Sequence, residues 1–411
     1  MIKMSRLKTI SIIVLATFCM VQAWQVWTGS SLFQSVKNVI DDNANRVTGS
    51  YEYDLLTKPS RIFIYSGGDD FTIKYNNFTD IPIVEKLGQV MNQLFKNGEF
   101  AAERTEIATN RIDYLNDGET VVVYEYLFNM PSDVFGKAFS YKGNLLTSRM
   151  KSFNAAVFMP ILETGEVRVV FVDDENKTEY EFTVGNNMAE ELAALINETP
   201  QHTDKPITLK AAYEMDGETQ IMHVRDQVSF LFPNPNAVMW DILGQTRRFT
   251  DSRATTVTYS RDHVLEYSYS GIPNGKRENT FISAFSAAVK FLRSDKTLTS
   301  EFYLEGYSPN NDVWTFYFGL AVNDFPLLLD KDFAELIGIG HFVEVMVRND
   351  TVANYKRFVY TFDDVKTTGN GRKLTYKKDF GANYLVYSVN AYAVSVNMAE
   401  LGWVFVSEVS D

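Results

Sequence analysis

Apolar positions along the chain fall into three kinds of pattern. The first is an unbroken run: Thr9 to Trp27 reads TISIIVLATFCMVQAWQVW, 19 residues without a charge. As a helix it spans about 28 Å, close to the roughly 30 Å hydrocarbon core of a bilayer. The second is strand-like. Arg61–Tyr65 and Phe71–Tyr75 alternate around Gly67-Gly68-Asp69-Asp70, the signature of a hairpin. Thr120–Phe128 follows the turn signal Asn116-Asp117-Gly118, and Phe153–Leu162, Glu166–Asp173 and Thr178–Val184 continue as a meander. The third is helical spacing. Ile83, Leu87, Met91 and Leu94 mark a helix over Pro82–Asn97, with Pro at its start and Gly98 past its end. Asn186–Asn197 is a second amphipathic helix, and Phe281, Phe285, Val289 and Leu292 line one face of a third.

Between and beyond the last two helices the pattern again reads as strand. Ile207–Tyr213, Thr219–Phe232, Ala254–Ser260 and Val264–Ser270 surround a short helix expected near Ala237–Leu243. Glu301–Gly306, Val313–Ala321, Phe342–Val347, Tyr355–Phe362, Tyr384–Tyr392 and Trp403–Val406 complete the set. Turns recur too often for a parallel sheet with helical crossovers. The fold class expected is α+β: one N-terminal transmembrane helix followed by three small antiparallel-sheet-plus-helix extracytoplasmic domains. The polar stretches Thr199–Lys205 and Gly271–Glu278 suggest the divisions. They give a cytoplasmic tail at 1–8, the span at 9–27, a linker at 28–58, and domains at 59–198, 199–275 and 276–411.

Charge orients this arrangement. Lys3, Arg6 and Lys8 precede the span and no acid occurs before Asp41, so the basic end is expected in the cytoplasm and the rest outside. Trp24 and Trp27 then sit where an outer aromatic belt belongs. Val21-Gln22-Ala23 offers the alternative of a cleaved signal peptide, although the apolar run is longer than the roughly 7–15 residues of an h-region. The net charge of −13 argues against non-specific nucleic-acid binding. With 45% hydrophobic residues the chain can build packed cores, and its one Cys permits neither an internal disulfide nor a Cys-based zinc site. Within the span, Ser11, Leu15, Phe18, Gln22 and Gln25 recur at spacings of 4, 3, 4 and 3, a heptad seam suited to contact with partner helices.

Candidate chemistry is sparse. None of His202, His223, His263 and His341 lies within four residues of another, and each reads as a surface or strand residue. Gly338-Ile339-Gly340 lacks the third glycine of a dinucleotide loop, and no G-x-S-x-G elbow occurs. The acidic groups Asp69-Asp70, Asp173-Asp174-Glu175 and Asp363-Asp364 fall in expected turns and read as solvated. Paired carboxylates in a wall-active hydrolase are the enzymatic alternative. No catalytic, cofactor-binding or metal residue is assigned, and no cofactor is expected.

Three local motifs carry a resemblance to a known family. Trp24-Gln25-Val26-Trp27-Thr28 ends the span, Leu231-Phe232-Pro233-Asn234-Pro235 forms a Pro-rich turn, and Thr250-Asp251-Ser252-Arg253 precedes a strand pair. Together with the layout of tail, span and α+β domains they resemble the YycH family, membrane-anchored regulators of the WalK (YycG) sensor histidine kinase. The resemblance implies a non-enzymatic accessory protein acting with the kinase and a YycI-like companion through transmembrane and extracytoplasmic contacts. The alternatives are an anchored extracytoplasmic ligand-binding module, which needs a pocket with convergent polar groups, and the hydrolase.

Overall fold

The computed structural model describes residues 55–66, 71–74, 82–105, 120–138, 148–185, 187–197, 203–204, 207–211, 224–225, 228–232, 234–251, 254–271, 280–298, 301–322, 325–364, 372–373, 383–399 and 401–405. The expected span and its seam residues Ser11, Leu15, Phe18, Gln22 and Gln25 lie outside them. Residues 54–411 cluster apart from 1–53, and all described residues belong to the former. Among the described residues no helix is long and apolar enough to cross a membrane.

The first sheet has seven strands: β1 (Arg61–Ser66), β2 (Phe71–Lys74), β3 (Glu99–Thr105), β4 (Thr120–Pro131), β5 (Ser152–Ile161), β6 (Glu166–Asp173) and β7 (Thr178–Val184), in the order 2-1-4-5-6-7-3. Every pairing in it is antiparallel. Helix α1 (Pro82–Asn97) buries Ile83, Leu87, Met91 and Leu94, the stripe that its spacing predicted, and with them Val90 and Phe95. Helix α2 (Ser132–Ala138) adds Phe135, and α3 (Met188–Asn197) adds Leu192 and Ile196. Phe135 links the helices to the sheet, with its ring 6.1 Å from Phe95 and 5.0 Å from Phe153. The opposite face is buried too: Tyr65, Val121, Val123, Val157 and Val170 form a cluster of their own. Burial on both faces explains why the central strands read as apolar runs and not as alternation.

The expectation of a separate small sheet for each remaining domain is corrected. Strands β8 (Thr203–Asp204) and β9 (Ile207–Ala211) are followed by β10 (Met239–Leu243), β11 (Thr246–Thr250), β12 (Thr255–Tyr259) and β13 (Val264–Tyr269). Then come β14 (Glu301–Asn310), β15 (Val313–Val322), β16 (Phe325–Leu329), β17 (Val343–Arg348), β18 (Thr351–Phe358), β19 (Tyr360–Asp364), β20 (Arg372–Lys373), β21 (Asn383–Val389), β22 (Met398–Ala399) and β23 (Leu401–Phe405). One 11-stranded sheet runs 10-11-12-13-18-17-15-16-21-23, with β14 also on β15. The antiparallel pair β13–β18, from Val264↔Phe358 to Ser268↔Asn354, joins strands expected in different domains. β9 pairs with β19 and β22, and β8 with β20. The pair β16–β21 is parallel.

Helix α4 (Phe281–Ser294) covers this sheet. Thr280 caps it by accepting a bond from the Ser283 N–H at 3.2 Å. Its Phe285 ring lies 5.5 Å from Phe316 and 6.2 Å from Phe318. At its C-terminal end the wholly buried Arg357 and Asp295 pair at 2.5 Å. The Tyr355 hydroxyl donates to the same carboxylate at 2.7 Å, and Arg357 Nη2 donates to the Thr297 carbonyl at 2.9 Å. Short helices α5 (Lys331–Ile337) and α6 (Ala391–Val396) follow the parallel strands β16 and β21.

Two further expectations change. Ala237–Leu243, read as a helix, forms one 3-10 turn over Pro235–Ala237 and then β10. Pairing from Met239↔Thr250 to Leu243↔Thr246, closed by Gly244 at φ 60°, overrides the local helical pattern. Within Thr219–Phe232, read as a strand, the described Val228–Leu231 is a 3-10 turn.

Candidate functional site: a cleft at Glu305 and His341

The two sheets meet where β4 passes β14. The Leu127 N–H donates to Ser60 Oγ at 3.1 Å, Ser60 Oγ donates to the Leu304 carbonyl at 3.4 Å, and the Tyr307 hydroxyl donates to the Asn129 carbonyl at 3.1 Å. Beside this joint lies a cleft of about 770 Å³. Leu127 of β4, Glu305 of β14, the Leu327–Leu329 run of β16, α5 and the loop 338–342 line it.

Glu305 reaches the cleft because β14 bulges there: Leu304 pairs with Phe318 and Gly306 with Tyr317, leaving Glu305 without a partner on β15. A bulge turns one side chain away from the regular pleat. Gly319 provides the room, since a Cβ there would run into Glu305 and the Tyr303 ring. The Tyr303 hydroxyl donates to Glu305 Oε1 at 3.2 Å, and His341 Nδ1 lies 2.8 Å from Oε2. The His341 ring stacks on Tyr317 at 4.4 Å. The loop carrying His341 is itself fixed: Gly338 ends α5 in the left-handed region at φ 70°, Lys356 Nζ donates to its carbonyl, and the Gly340 N–H donates to Glu344 at 3.1 Å.

Partial burial pushes the His341 imidazole down, but the hydrogen bond and charge of Glu305 and the charge of Glu344 outweigh it, and the net direction is up. The carboxylate therefore holds the ring in one orientation and favours its charged form. Such a pair can orient an imidazole toward an anion or a hydrogen-bond acceptor. Among the described lining residues none is Ser, Thr or Cys, so they supply no hydroxyl or thiol for this histidine to activate.

The other sequence candidates are distributed through the fold. His263 bonds the Tyr259 hydroxyl through Nδ1 at 2.5 Å, and burial pushes its pKa down against the charge of Asp262. His202 and His223 lie outside the described residues. In the acidic turn after β6, Asp174 and Glu175 are exposed as expected, but Asp173 is not solvated. Asp173 is buried and accepts from the Asn176 N–H at 3.0 Å and its side chain at 2.8 Å, while Asp174 accepts from Asn154 Nδ2 at 3.1 Å. Asp363 and Asp364 lie in β19 and not in a turn, and Asp69-Asp70 falls outside the described residues. Among the described residues no group of three or more His, Cys, Asp or Glu could hold a metal ion.

Trp24–Thr28, Pro233, Ser252 and Arg253 of the motifs lie outside the described residues; the others named have structural roles. Leu231 and Phe232 are buried, and the Asn234 carbonyl accepts from the Ala237 N–H at 3.1 Å, closing the 3-10 turn. Asp251 accepts from the Thr255 N–H at 3.0 Å and so clamps the turn between β11 and β12, where Ala254 sits at φ 75°. Sequence reading missed the Glu305–His341 pair because 36 residues separate its members. The legible signal was Gly306 at the end of the expected strand Glu301–Gly306, since glycine in a strand often marks a bulge.

No family model matches the sequence, and no curated protein matches it. Among solved structures the chain is similar to YycH from Bacillus subtilis, at 14% identity over 84% of this chain and 92% of that one, with a TM-score of 0.47.

Proposed function

We propose that the chain is a non-enzymatic, membrane-anchored accessory protein that tunes a WalK-type sensor histidine kinase together with a YycI-like companion. The observation that carries this reading is the uncharged run Thr9–Trp27 behind three basic residues and ahead of an acidic α+β body. The seam Ser11, Leu15, Phe18, Gln22 and Gln25 is the proposed contact face, since polar side chains across a helix–helix contact contribute about 0.6–2 kcal/mol each.

The test is a paired substitution in the whole protein. Gln22→Leu with Gln25→Leu should weaken co-purification with the kinase and companion helices by roughly fivefold to several hundredfold. Val14→Leu with Val21→Leu, off the seam, should leave it unchanged. Kinase output that is the same with and without the chain would remove the regulatory reading. The leucine-floored cleft at Glu305 and His341 supports a second reading, an anchored ligand-binding module. Bound small molecules in protein purified from its native membrane, lost on Leu328→Arg, would favour it.

A further inference from the structure

The core face of the large sheet runs beyond its cover at β10. Phe249, Val257, Tyr259 and Leu265 are wholly buried on that face. By register Trp240 lies opposite Phe249 and Ile242 opposite Arg247, so both continue the same rows. Yet Trp240 is 38% exposed and Ile242 50%, while Met239 and Leu243 on the other face are 63% and 49% exposed. β10 pairs only with β11, which leaves its outer edge open among the described residues. Edge strands are ordinarily guarded by charge. The one charge on β10, Asp241, is engaged by Arg248 of its own hairpin through Nε at 2.9 Å. Arg247, beside Ile242, makes no ion pair among the described residues, and its Nε is buried without an acceptor.

We propose that β10 is a docking edge for a partner polypeptide, which adds a strand carrying apolar residues and an acid on one face. The open N–H and C=O groups call for strand addition, which supplies main-chain hydrogen bonds. A lipid surface would leave those groups unpaired at a cost. Apolar residues of the added strand cover Trp240 and Ile242, and its acid meets Arg247. A second copy of this chain fits less well, because its β10 brings only Asp241, already engaged by Arg248. The inference rests on the reading of the protein as a regulator acting through protein contacts, and it gives that contact a place in the fold.

The test uses the full chain in its native membrane, with the photo-cross-linking residue p-benzoylphenylalanine placed at Ile242 and, as control, at Leu162, which is 58% exposed in the turn between β5 and β6. Capture at 242 and not at 162 is expected, mapped by mass spectrometry to a segment that carries apolar residues and an acid at every second position. Arg247→Glu should lower the yield about tenfold, and Lys in place of the captured acid should restore it. Arg247→Met, which keeps the apolar stem and removes the charge, guards against disturbed β11 pairing and should lower the yield in the same direction. Adducts to lipid alone, adducts to a second copy, no polypeptide adduct, or capture indifferent to Arg247 would each overturn the proposal. Capture with unaltered kinase output keeps the docking edge and removes the regulatory reading. Altered output without capture overturns the docking edge alone.

Discussion

At the scale of single residues, stability turns on Arg357, a guanidinium with no exposure that shares the Asp295 carboxylate at the end of α4 with Tyr355. A buried ion pair stabilises little relative to well-packed apolar groups, but removing one partner strands the other charge. Arg357→Met should therefore cost about 3–5 kcal/mol in urea unfolding, and adding Asp295→Leu should recover much of it. The pair also sets a pH dependence. Burial pushes Asp295 up, but Arg357 and the bonds from Thr297 and Tyr355 hold it below the ordinary carboxylate value. Its contribution is present above the unfolded value and is lost as pH falls through the lower folded one, so Asp295→Asn should flatten the acid limb of a stability–pH curve. His341 runs the other way. With its folded pKa raised, its contribution is full below the ordinary value of 6.5 and is lost as pH rises through the folded value. His341→Gln should remove that loss near neutrality, which unfolding midpoints across pH 5–9 would show.

At the scale of elements, helices with a clear apolar stripe behave as their sequences predict, whereas short strands take their form from neighbours. In α4 the stripe Phe281, Phe285, Val289 and Leu292 is the packed face, and Phe285→Ala should cost about 3–5 kcal/mol by leaving a cavity against Phe316 and Phe318. The bulge in β14 gives a sharper test. Gly319→Val should displace Glu305 and Tyr303, and the His341 ring should then titrate closer to its ordinary value in an NMR series. β10 carries the opposite lesson: Ala237–Leu243 has a helical pattern, but five register pairs with β11 satisfy its backbone as a strand.

At the scale of the whole molecule, the chain is interleaved. β9 lies between β19 and β22, and β13 pairs with β18, so residues 207–269 are threaded among strands from 351 to 399. We propose that the polar stretch 271–278 is still the preferred site of proteolytic nicking, because Gly, Pro and charge dominate it. Given the shared sheet, the two fragments should co-migrate on a native gel and separate only in denaturant. Fragments that part without denaturant would show that β13–β18 pairing does not hold them. The joint at Ser60, Leu127 and Tyr307 is smaller, and Tyr307→Phe, which removes the bond to Asn129, should cost about 0.5–1.5 kcal/mol.

Sequence alone determined what depends on neighbours within a few turns of chain. The α+β class, the helix Pro82–Asn97, the strands Glu166–Asp173 and Thr178–Val184, and the packed face of α4 all follow from periodicity and local stops, and the structure has them at those positions. Tertiary structure decided what depends on partners far along the chain. That two expected domains share one sheet rests on β13 meeting β18 about ninety residues later, a choice made by backbone hydrogen bonding and leaving no local mark. Arg357 in an aromatic strand became a buried anchor only because Asp295 closes α4 beside it. Glu305 and His341 are solvated residues by any local reading; a bulge, a glycine opposite it and a fixed loop make them a pair, since electrostatic coupling depends on distance through space and not along the chain.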